Sequence, residues 1–162
     1  MKFEKKKKKE IVDDYDFIRD EIFLFTKISE IDISTRTDLS YMFENGFNLE
    51  ELDLSGMDTS RVESMYNMFS DCFSMKKIDL SMLDTSNVIT MSRMFNNCFS
   101  LETIDMSTCD LRKCKSFNDI FDNCSCLKTV YLSENGKGLK EYIEANYPNI
   151  CVCEKEGEKE NE

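Results

Sequence analysis

The sequence has no histidine and only five glycines in 162 residues. Without an imidazole, Ser–His and Cys–His nucleophile pairs are excluded. No glycine-rich phosphate loop occurs. No apolar run reaches the roughly eighteen residues that a membrane-spanning helix needs. A secretory leader is not read either. Lys2 and Lys5 to Lys9 make a basic start, but Glu10-Ile11-Val12-Asp13-Asp14 follows where a leader requires an unbroken apolar stretch. The expectation is a cytoplasmic protein with no transmembrane segment.

Acidic charge is what the chain has in excess. Its formal net charge is −11. Residues 1–10 carry +4 and residues 154–162 carry −3, which leaves −12 for residues 11–153. A body this acidic repels nucleic acid and anionic lipid and attracts a basic protein surface. The lysine run reads as a solvated tail. Eight cysteines in a chain read without a leader are expected as reduced thiols.

The strongest signal is a 26-residue repeat. Residues 52–77 and 78–103 match at 13 of 26 positions without a gap. Residues 104–129 keep the frame, residues 26–51 fit it more weakly, and residues 130–153 begin a fifth unit before diverging. The frame carries the leucine-rich pattern L-x-x-L-x-L four times: Leu49/Leu52/Leu54, Met75/Ile78/Leu80, Leu101/Ile104/Met106 and Leu127/Val130/Leu132. In Leu52-Asp53-Leu54-Ser55 the apolar residues alternate, which is strand periodicity. Asp58-Thr59-Ser60 is turn and cap chemistry. Val62, Met65, Phe69 and Cys72 recur at three and four residues, the spacing of a helical face. Each unit is therefore predicted to run strand, turn, short helix, turn. One such unit cannot bury its apolar face alone, so neighbours must stack. The fold class expected is α/β: a leucine-rich-repeat solenoid of about four to five units, with a parallel sheet on one face and helical caps.

Stacking converts equal phase into ladders. Phe43, Phe69, Phe95 and Phe121 form a core spine, with Met42, Met68, Met94 and Ile120 beside it. Cys72, Cys98 and Cys124 form a third ladder, read as small buried hydrophobes. An N-terminal capping helix is expected over 10–25, from the stripe Ile11, Tyr15, Ile18, Ile22 and Phe25. The solenoid covers 26–133. A C-terminal cap covers 134–153, with Leu139, Tyr142, Ile143 and Tyr147 on one helical face and Pro148 as its stop. Tails 1–9 and 154–162 are expected to be disordered.

The strings Leu52-Asp53-Leu54-Ser55, Asp58-Thr59-Ser60-Arg61-Val62 and Met65-Tyr66-Asn67-Met68-Phe69, then Cys72 and Met75, return 26 residues later. They resemble the BspA-type leucine-rich-repeat proteins, of the kind shared with mycoplasma lipoproteins. The resemblance covers about residues 26–133. It implies a right-handed solenoid and a binding role; many members are surface proteins that attach to host or extracellular-matrix proteins. This chain departs from the family in placing Phe47, Phe73 and Phe99 where family repeats usually carry polar residues.

Two stripes are candidates for partner binding. Asp53, Asp79 and Asp105 take the outward strand position of successive units, and Tyr131 follows. Strands about 4.8 Å apart set these carboxylates in mutual repulsion. The neighbouring ladder Glu50, Lys76, Glu102 and Lys128 alternates in sign and relieves itself. An unrelieved acidic column suits a basic partner; the plainer alternative is a local bond to Ser55, Ser81 and Ser107. Phe47, Phe73 and Phe99 form the second stripe. Stacked aromatics usually serve the core, so this stripe is expected to be buried between turns; exposed, it becomes an interface anchor.

Other candidates recede. Asp58, Asp84 and Asp110 read as turn caps. Cys124-x-Cys126 and Cys151-x-Cys153 have four thiols, but their spacing is not that of a zinc site and Cys124 belongs to the core ladder. No metal, cofactor or catalytic residue is assigned, because nothing in the acidic column singles out an acid and a base. The function expected is non-enzymatic binding of a basic protein partner through the acidic sheet face, without direct contact to nucleic acid. Two alternatives are a small phage or mobile-element inhibitor that fills a basic nucleic-acid-binding groove, and a surface adhesin.

Overall fold

A computed structural model describes the backbone of residues 10–11 and 31–154. Its architecture is α/β, with a four-stranded parallel sheet and one α-helix among the described residues. A two-residue strand, β1 (Glu10–Ile11), pairs in parallel with β2 (Ile31–Asp32). The main sheet runs β3 (Lys77–Asp79), β4 (Thr103–Met106), β5 (Thr129–Leu132) and β6 (Cys151–Glu154), each beside the next. Between β5 and β6 lies the helix α1 (Lys137–Asn146).

The register of the sheet is the register of the repeat. Ile78 pairs with Ile104, and Ile104 with Val130. All three are buried, as are Met106 and Leu132. A strand turns alternate side chains to opposite faces, so burying this set sends Asp79, Asp105 and Tyr131 outward. A second line of parallel bridges joins Asp38, Ser64, Thr90 and Ser116 at the same 26-residue interval.

Between these two lines sits the core. Phe43, Phe69, Phe95 and Phe121 stack with ring centroids 5.1, 5.6 and 6.0 Å apart, and all four are buried. Met42, Met68, Met94 and Ile120 are buried beside them. Full burial of each such side chain is worth about 1.5–3 kcal/mol. Cys72, Cys98 and Cys124 donate their Sγ–H to the carbonyls of Phe43, Phe69 and Phe95, at 3.2, 3.2 and 3.0 Å.

The short helices predicted within the repeats are not there. Among the described residues the segments that follow Val62, Val88 and Cys114 fold as pairs of tight turns. In Met65–Met68 the Met68 N–H reaches Met65 O, and in Phe69–Cys72 the Cys72 N–H reaches Phe69 O. The third residue of each turn has positive φ, 54° at Asn67 and 63° at Asp71. That is the type II arrangement. Arg93 and Asn97 repeat it one unit later, Asp119 and Asn123 two units later, and Tyr41 and Asn45 one unit earlier.

The intervening amides point along the stack. Met65, Asn67, Phe69 and Asp71 donate to the carbonyls of Thr90, Ser92, Met94 and Asn96, at 2.9–3.1 Å. Buried amides need partners, and here the neighbouring unit supplies those that a helix would find within itself. Asn and Asp enter the left-handed region at least cost and are poor helix formers. The local chemistry therefore favours stacked turns, although the apolar spacing fits a helix.

At the ends, the N-terminal capping helix over 10–25 lies outside the described residues except at Glu10–Ile11, which are strand. The helix α1 buries Leu139 and Ile143 and ends before Pro148. The strand β6 was not anticipated, and it includes Glu154, assigned from sequence to the acidic tail.

Candidate functional site

The outward residues of the sheet form one side of the candidate site. Asp79 lies directly beside Asp105, and Asp105 beside Tyr131. With Asp53 from the preceding unit and Glu51 and Lys77 at the margin, they line an open groove of about 630 Å³. The plainer alternative for the aspartates, a local bond to the serine two residues ahead, is present. Each turns Oδ1 to the backbone N–H two residues ahead: Ser55 to Asp53 at 2.9 Å, Ser81 to Asp79 at 2.8 Å and Ser107 to Asp105 at 3.0 Å. The carboxylates nevertheless remain in the groove wall, with Asp79 and Asp105 in register across two strands.

Charge at the margin is paired within the chain. Lys77 Nζ lies 2.9 Å from Glu51, and Lys76 Nζ lies 4.0 Å from Glu50. The alternating ladder read from sequence thus makes its Lys76–Glu50 contact, while the Asp53/Asp79/Asp105 column presents one sign only. Asp79 and Asp105, one strand apart, repel by about 1 kcal/mol even in water.

The phenylalanine stripe corrects an expectation. Phe47, Phe73 and Phe99 are exposed, at 47%, 36% and 43%, and not buried between turns. Their rings still stack, with centroids 5.0 and 5.2 Å apart. Phe73 and Phe99 directly follow the inward Cys72 and Cys98 as the second residues of the turns Cys72–Met75 and Cys98–Leu101, closed by N–H to carbonyl bonds of 3.2 and 3.1 Å, and there they face away from the core. Stacking with equal phase thus gives an outer ladder of rings parallel to the inner one. The line ends at Ser125, whose hydroxyl donates to Phe99 O at 3.3 Å.

The acidic residues assigned to turns behave as caps. Ser60 and Ser86 donate backbone N–H groups to Asp58 and Asp84, at 3.1 and 2.9 Å. At Asp110 the Arg112 guanidinium adds contacts of 2.9 and 2.6 Å and holds the carboxyl down to about 2. Burial pushes the Cys72 and Cys124 thiols up to about 12 and the Cys114 thiol to about 11, which makes them poor nucleophiles and metal ligands. Cys124 is buried whereas Cys126 is exposed, so this pair does not present two thiols to one ion.

One polar ladder escaped the sequence reading. Asn97 Nδ2 donates to Asp71 Oδ1 at 2.7 Å, and Asn123 Nδ2 to Asn97 Oδ1 at 2.8 Å. These are the left-handed positions of successive turns. Their signal was visible as Asp71, Asn97 and Asn123 at 26-residue intervals.

With this geometry in view, the comparison with known families is decisive on one point. The family described as "Mycoplasma protein of unknown function, DUF285" matches residues 14–134. The chain belongs to that family. The DUF285 match contains the whole Asp53/Asp79/Asp105/Tyr131 column and the phenylalanine stripe, and it ends before α1 and β6. No curated protein and no solved structure matches the chain. No helix among the described residues is long and apolar enough to cross a membrane.

Proposed function

We propose that this DUF285 chain is a non-enzymatic protein-binding module that receives a basic partner on its acidic sheet face. The scaffold in this reading is a right-handed BspA-type leucine-rich-repeat solenoid of about four to five 26-residue units. The observation that carries it is the groove in which Asp53, Asp79, Asp105 and Tyr131 stand in successive units. A column of one sign at strand spacing matches a segment with lysines or arginines at a similar interval, and Tyr131 offers an aromatic face at its end. The absence of histidine supports a binding role over a catalytic one.

The test uses the full chain and an Asp53/Asp79/Asp105→Ser variant in parallel capture from source-cell lysate, with salt titration. Serine retains an oxygen for the turn, so the variant should keep its circular-dichroism spectrum. A partner lost by the variant, and lost from the wild type as salt rises, supports the reading. Retention of every partner by the variant, with unchanged salt dependence, refutes it.

A second reading places the contact on Phe47, Phe73 and Phe99, and their exposure favours it. Exposed contiguous apolar surface marks interaction sites. A Phe47/Phe73/Phe99→Ser variant that loses a salt-insensitive partner would assign binding to that stripe. The reading places the module in the cytoplasm, where a nucleic-acid enzyme with a basic groove is one class of target. Recovery of the native protein at the cell surface would assign it to the adhesin class instead.

A further inference from the structure

Five of the eight cysteines, Cys72, Cys98, Cys109, Cys114 and Cys124, are buried. Cys151 and Cys153 are different. Both lie on β6, two residues apart, so strand geometry turns them to one side. Cys151 is exposed and Cys153 half-buried, and their Sγ atoms are 2.9 Å apart. The strand β6 ends the sheet and is held by β5 alone among the described strands. No group of three or more metal-ligating side chains occurs among the described residues. The pair thus has two donors where a structural zinc takes four.

We propose that Cys151 and Cys153 are a dithiol that closes reversibly to an intramolecular disulfide by exchange with a small disulfide of the glutathione type. Cys151 is the entering group, because it is the more exposed. Its thiolate attacks one sulfur of the small disulfide; that S–S bond breaks and one small thiol leaves. Cys153 gives its proton to water and attacks Cys151 Sγ; the mixed S–S bond breaks and the second small thiol leaves. Two protein thiols lose two electrons in all, and the small disulfide gains them as two thiols. The hydrogen bond with Cys151 holds the Cys153 thiol above its ordinary range.

Closure acts on the strand. Cα atoms two residues apart on a strand are about 6.6 Å apart, near the upper end of the roughly 4.4–6.8 Å that a disulfide spans. Closing the bond draws Cys151 and Cys153 together and shifts β6 slightly where it pairs Cys151 with Thr129 and Cys153 with Tyr131. Tyr131 lines the acidic groove, so the redox state of the pair is felt at one end of that groove.

The experiment equilibrates the full chain with glutathione disulfide, alkylates the remaining thiols, and maps tryptic peptides. The peptide 141–155 contains Cys151 and Cys153 and no other cysteine. It is expected two hydrogens lighter and unalkylated, and Cys153→Ser is expected to trap a stable glutathione adduct on Cys151. Urea-unfolded chain should close several-fold less, because the strand no longer holds the thiols together. Two alkyl groups or two glutathione adducts on that peptide, a crosslink to Cys126, or equal closure in urea would each overturn the proposal.

Discussion

Replacing one phenylalanine in each ladder separates the inner stack from the outer one. Phe95 has no exposed surface and stacks between Phe69 and Phe121, with centroids 5.6 and 6.0 Å away. Truncation to alanine removes its transfer energy and leaves a cavity that stacked units above and below cannot readily fill, at a cost of about 3–5 kcal/mol. Phe99 is 43% exposed and stacks on Phe73 at 5.2 Å. Solvent fills the space left by Phe99→Ala, so no cavity cost arises. The remaining loss is roughly half of a full burial, about 1 kcal/mol. A domain of this size has a total stability of about 5–15 kcal/mol. Phe95→Ala should therefore move the urea midpoint substantially at unchanged slope, and Phe99→Ala should move it little. Equal shifts for the two variants, or a loss below about 1.5 kcal/mol at Phe95, would refute the assignment of inner and outer ladders.

Arg93 holds φ at 58° and Asn97 at 62°; Asn97→Ala should lower stability by about 1–2 kcal/mol, with an added loss from its bonds to Asp71 and Asn123, whereas Arg93→Gly should be neutral or stabilising, both read by thermal melts. The Asp110 carboxyl is depressed to about 2 by the Arg112 guanidinium, below an unfolded value of about 3.9, so its contribution is present at neutral pH and is lost as pH falls from near 4 through 2. Carboxyl NMR should record that low midpoint, and Arg112→Ala should return it toward the ordinary range.

The parts of the fold legible in the sequence were those where one constraint acts alone. Alternation marked the strands around Ile78, Ile104 and Val130, which a 26-residue period set in register, but Leu52-Asp53-Leu54, which alternates in the same way and was expected to be strand, is not one in the structure. Equal phase also sufficed for the Phe43 to Phe121 spine. The helices were misread because Val62, Met65, Phe69 and Cys72 satisfy two geometries. Their spacing of three and four fits a helical face, and it also fits paired turns whose inward residues recur at that interval. What distinguishes the two is the polar residues between them. Asn67 and Asp71, then Asn97, supply positive φ where a helix would gain nothing from them.

The candidate site follows the same division. The outward direction of Asp79 and Asp105 is a consequence of strand alternation, and was therefore legible; Asp53 reaches the same groove without being on a strand. Exposure of Phe47, Phe73 and Phe99 was not, because burial of an aromatic depends on the face its backbone presents, and that face was assigned from the wrong geometry. In a helix, Phe73 next to Cys72 could share the apolar stripe; on stacked turns the inward Cys72 forces Phe73 outward. The error in backbone and the error in exposure are one error. It follows that the two binding readings rest on different parts of the backbone: Asp79 and Asp105 of the acidic column are placed by the sheet, whereas the aromatic stripe depends on the turns, in which Asp71 and Asn97, at positive φ, stand two residues before Phe73 and Phe99. Asn97→Ala should therefore disturb binding through the phenylalanine stripe while leaving binding through Asp53, Asp79 and Asp105 intact, and salt dependence tells which of the two has been lost.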